Sequence, residues 1–396
     1  MTLTLLLDLD DTLLNTNLEA FVPAYFQALA KELSPHIAPQ RMLHALMAGT
    51  NLMNESQDFS RTLEEVFTEG FYPQIDVPKG EMDSAIENFY DNVFPALSGL
   101  TSQKKDAKPF VDWAFSKGWR IAIATDPLLP RKATYHRLRW AGFQPEQFEL
   151  ISTYDHFHFS KTHPAYYAEV LGRLGWPEGP VLMVGNDMER DILPAQRLGL
   201  TAYHIDDGSA QRSGHEAGLH GDLTDLRAWL ESIDLSSLIP SFKSRDSVMG
   251  ILYSTPAVLC GLIRGLEPSG WKRESVPMEW TCTELVCHLR DMEREVHLPQ
   301  MRLFEDPNEP FIRRPDTSVW VNQRDYRNED GRSALNEYMA ARRESMETLG
   351  GIQPQEWSRS ARHAIFGPTN FLEVIGFMAD HDRMHIQQVW NILKAL

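Results

Sequence analysis

The sequence predicts an α/β domain built on a mainly parallel sheet, followed by an all-α four-helix bundle. Three observations carry this. Over the first 235 or so residues, short apolar strand patterns alternate with helical ones, the signature of crossover units with helices on both faces of a sheet. Beyond residue 246 the strand patterns stop and four long amphipathic helices follow one another. At 396 residues, the chain is also too long for one typical domain.

The first element is the run Leu-Thr-Leu-Leu-Leu, which ends in Asp8-Leu9-Asp10-Asp11-Thr12. Five apolar or β-branched residues in succession suit a strand buried on both faces. Before the next core helix (107–117) lies a long stretch without a convincing strand. In it Phe21, Tyr25, Leu29 and Leu33 recur at helical spacing, and further helices fit 39–47, 61–67 and 82–89. So long an insertion reads as a small helical subdomain, about 16–100, over the strand ends. Buried strands then fit 120–124, 148–152, 180–184 and 201–205, separated by helices that include 164–174 and 191–198. A last helix fits 222–233. The domain therefore spans 1–235, a serine- and proline-bearing linker 236–246, and the bundle 247–396, with helices at 248–266, 281–304, 334–349 and 370–393. Thr281 with Glu284, and Asn370 with Glu373, fit capping-box starts for the second and fourth of these.

Composition narrows the function classes. An apolar content of 42% with 10% aromatics supports packed cores. A formal charge of -17 argues against partners that are nucleic acid or anionic membrane. Three cysteines, Cys260, Cys282 and Cys287, form no metal knuckle. With no secretion signal at the N-terminus, they fit a reduced, cytoplasmic protein. The apolar stretch 249–263 contains Pro256 and is shorter than a membrane span, so it reads as a buried helix.

The abrupt carboxylates after the first strand are the strongest chemical signal. Asp8 and Asp10 point the same way if extension persists, and carboxylates crowded at a strand exit need a cation or a reaction to justify them. Three later segments converge on the same sheet edge, where sites of such folds lie. Thr125 follows the 120–124 strand. Lys161 sits in Ser-Lys-Thr-His-Pro before a helix. Gly185-Asn186-Asp187-Met-Glu-Arg-Asp191 follows the 180–184 strand. Hard oxygen ligands gathered there suit Mg²⁺. An isolated Asp-x-Asp more often caps a helix or sits in a turn; four elements in this order, each at a predicted strand exit, point instead to a site.

With these motifs, residues 1–235 resemble the haloacid dehalogenase (HAD) superfamily of aspartate-nucleophile hydrolases. The resemblance implies a three-layer Rossmann-like core with an inserted helical cap, acting on a small-molecule phosphate ester. It implies that Asp8 attacks phosphorus to form an aspartyl-phosphate, and that Asp10 protonates the leaving oxygen and then activates water. Thr125 and Lys161 would hold phosphoryl oxygens. Mg²⁺ would be bound by Asp8, the Asp10 carbonyl and Asp187 or Asp191. Many members carry Gly-Asp where this chain has Gly185-Asn186, which leaves Asn186, Asp187 and Asp191 open as the direct metal ligand. The family's true dehalogenases lack the second aspartate, so Asp10 favours phosphate-ester hydrolysis. Arg131 and Lys132, after the second motif, read as solvated surface.

In the bundle, His381 and His385 stand four apart and share a helix face with Val374, Met378 and Val389. His288 lies mid-helix beside Leu285 and Met292. Such histidines also suit a packed core, but residues 246–396 resemble the DinB-like superfamily, whose bundles carry one histidine on the second helix and a His-x-x-x-His pair on the last. The resemblance extends to Trp280-Thr-x-x-Glu284-Leu and His385-Ile-Gln-Gln388. It implies a site for Zn²⁺, Ni²⁺ or another divalent ion at His288, His381 and His385. It also implies either a thiol-dependent transferase or a metal-binding domain. Asp291, Glu293 and His297 read as exposed, and Cys282 and Cys287 as small buried hydrophobes. A third reading makes the bundle a non-catalytic homodimerisation or regulatory module.

Overall fold

The computed structural model describes residues 1–206, 218–274 and 280–395. Two compact units divide the chain: Met1–Val170 with Pro177–Ser241, and Leu171–Trp176 with Phe242–Leu396.

The first unit opens with β1 (Thr4–Leu7), all four residues buried. It is followed by β2 (Leu14–Thr16) and the helices α1 (Leu18–Leu33), α2 (Pro39–Glu55), α3 (Leu63–Ile75) and α4 (Lys79–Asn88). Phe21, Tyr25, Leu29 and Leu33 do line the buried face of α1. Helices α2 and α3 run longer than their sequence patterns. They cross closely: a Cβ on Gly70 would come 3.0 Å from the Gly49 Cα, so both positions favour the smallest residue. A short β3 (Thr101–Gln103) pairs antiparallel with β2, Leu14 opposite Gln103, and closes the insertion at its base. This ribbon lies where no strand was expected, because Leu-Asn-Thr and Thr-Ser-Gln are too short and too polar to show alternation.

The core continues through α5 (Ala107–Ser116), β4 (Arg120–Ile123), α6 (Arg131–Trp140), β5 (Leu150–Ile151), α7 (Pro164–Arg173), β6 (Val181–Gly185), α8 (Leu193–Leu198) and β7 (Thr201–Ile205). It ends with β8 (His220–Gly221) and α9 (Leu223–Ser232). The strand order is β5-β4-β1-β6-β7-β8, parallel at every pairing. This is a Rossmann-like α/β core. The sixth strand, only two residues long, was not expected, and the strand expected over 148–152 shrinks to Leu150–Ile151. Leu7 pairs with both Ile123 and Val184, so β1, β4 and β6 end level with one another.

The second unit is helical. Its long elements are α10 (Arg245–Ile263), α12 (Cys282–Met292), α15 (Gly331–Gly350) and α16 (Phe371–Lys394). Between them lie the short α11 (Pro268–Trp271), α13 (Leu298–Arg302) and α14 (Trp320–Gln323). Helix α10 is long and apolar enough to cross a membrane by length and composition, yet most of it is buried in the bundle. Thr281 and Glu284 form a reciprocal capping box at the start of α12. Asn370 caps α16, but Glu373 bonds Thr369 Oγ1 instead of completing the box. A small sheet interrupts the all-helical expectation: β10 (Ser360–His363) forms a hairpin with β11 (Gly367–Asn370), and β9 (Phe311–Ile312) runs parallel to β10.

Candidate functional site

Because β1, β4 and β6 end together, Asp8, Thr125 and Asn186 emerge side by side. Asp8 keeps the ladder, donating its N–H to Val184 O at 2.9 Å. The chain then turns sharply. Asp11 adopts a left-handed conformation (φ 53°), its carboxylate accepts the Thr16 N–H at 2.7 Å, and Lys104 Nζ reaches its carbonyl at 2.9 Å. Thr12 is buried, its hydroxyl aimed at Asn186 Oδ1 at 3.5 Å. Thr125 is buried too, its carbonyl fixed by Ser152 Oγ at 2.5 Å and Tyr166 OH at 2.8 Å.

Lys161 is the hub. It is 1% exposed, and its Nζ donates to Asp8 Oδ1 at 2.6 Å and to Asp191 Oδ1. Burial opposes its charge, but Asp191 and Asp8 outweigh it and hold the ammonium protonated well above the usual lysine range. Asp191 is pushed up to about 7, by burial first and the Asp8 charge second, against the pull of Lys161. A π-helical turn, Met188–Ile192, brings Asp191 inward. Its second oxygen accepts the Asp187 N–H at 2.9 Å, so both Asp191 oxygens are engaged. Gly185 makes room for it: a Cβ there would lie 2.3 Å from the Asp191 carboxyl carbon. Asp187 is exposed and spends one oxygen capping the π turn, at Glu189 N (2.8 Å) and Arg190 N (3.1 Å).

Two cations at this edge escaped the sequence reading. Arg137, on α6, is 4% exposed and pairs with Asp10, whose other oxygen accepts from Thr16 Oγ1 at 2.7 Å. Arg190 pairs with Asp126, the residue after Thr125. Asp8, Asp10, Thr125, Lys161, Asp187 and Asp191 all line one cavity of about 490 Å³ that runs into the helical insertion. Arg131 and Lys132 lie outside it on the surface, paired with Asp155 and Asp91.

In the bundle, His381 Nε2 lies 3.2 Å from His288 Nε2 and 3.1 Å from His385 Nε2. Their ligand atoms all fall within 4.8 Å of one another, the one such group of His, Cys, Asp or Glu among the described residues. His385 Nδ1 meets Gln388 Oε1 at 2.7 Å; the amide oxygen is an acceptor, so Nδ1 carries the proton and Nε2 offers its lone pair. Burial, then neighbouring imidazoles, lowers the pKa of His288 to about 3 and that of His381 well below the usual range. Three neutral imidazoles with Nε2 atoms converging on one point are a donor set for a divalent ion. Beside them opens a cavity of about 860 Å³ lined by Trp280, Arg314, Met384 and Gln388.

Asp291, Glu293 and His297 are buried, contrary to the expected exposure. A π-helical turn over Glu293–His297 rewinds the helix, and Arg342, fully buried on α15, draws Glu293 inward at 2.9 Å. Arg342 also holds Asp382 bidentately at 2.7 and 3.1 Å. His297 contacts Glu293 at 3.4 Å and the His381 ring at 5.5 Å. Cys282 and Cys287 are buried thiols pushed up to about 12 by burial.

Residues 2–199, half of the chain, match the model of the haloacid dehalogenase-like hydrolases. The chain belongs to this family. Residues 251–389 match the DinB superfamily, so this HAD-like hydrolase carries a DinB domain. No curated protein matches the chain. Solved structures similar to it include a HAD phosphatase from Thermococcus onnurineus, 20% identical, covering 58% of this chain and 98% of its own, with a TM-score of 0.39. A 2-haloacid dehalogenase from Pseudomonas syringae pv. Tomato DC3000 is 18% identical over 58% of this chain and 99% of its own, TM-score 0.43. YfiT from Bacillus subtilis, with an unusual four-helix bundle topology, is 20% identical over 38% of this chain and 87% of its own, TM-score 0.33. Within the HAD-like domain, Arg137 could be found from sequence only as a charge on a basic helix, where solvation is the ordinary reading.

Proposed function

We propose that the HAD-like domain is a Mg²⁺-dependent phosphatase that cleaves a small phosphate monoester through an aspartyl-phosphate on Asp8. The observation that carries this is the buried Lys161 bridging Asp8 and Asp191 in a cavity that also holds Asp10. A fixed cation beside a carboxylate nucleophile suits a reaction whose charge builds on phosphoryl oxygens. In the forward step Asp8 attacks phosphorus while Lys161 and the Thr125 hydroxyl hold the equatorial oxygens. The ester P–O bond breaks, and Asp10 gives its proton to the leaving oxygen. Asp10 then takes a proton from water, whose oxygen attacks phosphorus and frees Asp8. The Arg137–Asp10 pair must loosen for this, and the entering phosphate offers Arg137 a dianion in exchange.

The donor chemistry fits Mg²⁺. At the cavity floor five carboxylates (Asp8, Asp10, Asp126, Asp187 and Asp191) face three cations (Lys161, Arg137 and Arg190), which leaves an excess of two formal negative charges there to repel a phosphate. Asp8, the Asp10 carbonyl and Asp187 would hold the ion, with Asp191 instead orienting Lys161. The ion would supply charge neutralisation at the phosphoryl group. Mg²⁺-dependent release of phosphate from p-nitrophenyl phosphate tests the reading. Asp8→Asn should lower it by about 10⁴-fold or more, and absence of release from the wild type at any Mg²⁺ concentration refutes it.

For the bundle, the convergence of His288, His381 and His385 supports a bound Zn²⁺, Ni²⁺ or similar ion with an open position toward the 860 Å³ cavity. That arrangement suits a thiol-dependent transferase more than a pure dimerisation module. Elemental analysis of wild type against His381→Ala reads the metal; glutathione conjugation lost in His381→Ala but kept in Asp8→Asn reads the activity. The three cysteines, all buried thiols, support a reducing, cytoplasmic setting.

A further inference from the structure

The cavity at Asp8 is two-faced. Its floor is charged, with Lys161 and Arg137 beside Asp8 and Asp10, and Arg137 Nε has no hydrogen-bond partner among the described residues. Its upper part, inside the helical cap, is walled by Phe21, Tyr25, Leu29, Phe67, Phe71 and Tyr90. Several polar atoms on those walls are already used. The Tyr25 and Tyr90 hydroxyls bond each other at 2.8 Å, and Thr50 Oγ1 donates to Leu46 O in its own helix at 2.8 Å. At the rim, Lys79 stands 3.5 Å from both Glu64 and Asp83. Thr68, Tyr72 and Tyr154 add hydroxyls to the lining, but a sugar or nucleoside placed here would lose water from each of its own hydroxyls against walls that are mostly aromatic and aliphatic. An apolar group would gain by burial.

From this we infer that the substrate class is the phosphate monoester of an apolar alcohol, aromatic or alkyl, with its phosphate at Lys161 and Arg137 and its body in the cap. The inference rests on the phosphatase reading for the reaction, but not for the binding. One experiment separates the two. The full chain in Mg²⁺ is assayed on ethyl, butyl and hexyl phosphate, with glucose 6-phosphate as the polar control. The Asp8→Asn protein is titrated calorimetrically with the same four compounds.

The ratio kcat/KM should rise about fourfold per methylene, roughly two hundredfold from ethyl to hexyl, with affinity following and glucose 6-phosphate no better than ethyl phosphate. Val22→Gln, on the exposed cavity-lining side of α1, should cut the hexyl-to-ethyl ratio about tenfold in both readouts. An affinity series that holds while no ester is hydrolysed overturns the phosphatase reading and leaves the cavity assignment standing. A flat affinity series, or glucose 6-phosphate equal to hexyl phosphate, overturns the assignment whatever is hydrolysed.

Discussion

The two candidate sites bury their charges in opposite ways. In the HAD-like domain a buried cation, Lys161, is itself at the cavity floor, held by the carboxylates that would do the chemistry. In the bundle a fully buried cation, Arg342, is sealed behind the site, spanning Glu293 and Asp382, while the groups that converge are neutral imidazoles. The first arrangement suits an anion met directly, because its cation is charged and faces the cavity. The second keeps charge away from its donors, so three imidazole lone pairs stay free to meet a cation. The contrast separates a buried ion pair with one member facing a cavity from a buried ion pair that braces the packing behind a site.

The largest test of the contrast is Lys161→Met. It removes the cation that, on the phosphatase reading, acts on the transition state, and it leaves Asp8 and Asp191 uncompensated. Phosphate release should fall about 10³-fold, and the HAD-like domain should lose about 3 to 5 kcal/mol in denaturant melts. Bundle metal content should not change. Arg342→Met should cost a similar 3 to 5 kcal/mol in the bundle, because it strands two buried carboxylates. It should leave phosphate release intact. An effect of Arg342→Met on phosphatase kcat at unchanged folding would erase the distinction between the two pairs.

A smaller, pH-dependent effect follows from Glu293. Burial works against its charge, but Arg342 and His297 outweigh burial and hold its carboxyl down to about 2, from an ordinary 4.5. Its folded value lies below its unfolded one, so the unfolded chain binds the proton first as pH falls. The stabilisation is complete above about pH 5 and disappears between about 5 and 2, worth about 3 kcal/mol in all. Urea melts across that range should show this slope in the wild type and lose it in Glu293→Gln. A wild-type slope that survives in the variant assigns the acid sensitivity to other carboxylates.

How much of this was legible follows from what each residue's neighbours in sequence reveal. Asp8, Thr125, Lys161 and Asp191 each stand at or just beyond a predicted strand or helix boundary, so their spacing carried the information, and the structure brings them to one sheet edge. His381 and His385 were legible because helix geometry alone puts them on one face. Arg137 and Arg342 were not: each sits in a helix among other charges, and only a partner far along the chain (Asp10 and Asp382) makes it a buried cation. Glu293 and His297 were misread because a π turn shifts the helical phase by one residue, and sequence periodicity assumes that phase. The β2–β3 ribbon was lost for the opposite reason, being too short to have a period.

The smallest expected effect guards the comparison from below. Arg131 pairs with Asp155 and lies on the loop side of the same helix that carries Arg137, but it is half exposed where Arg137 is buried. If cavity-facing burial is what gives a charge its role, Arg131→Ala should cost less than about 1 kcal/mol in stability and leave kcat/KM within about twofold. Arg137→Ala, six residues along, should lower kcat/KM by about tenfold or more, since it removes from the cavity floor a buried cation whose Nε has no partner among the described residues. Equal effects from the two arginines, measured side by side on one substrate, would mean that net positive charge near the sheet edge matters rather than its placement.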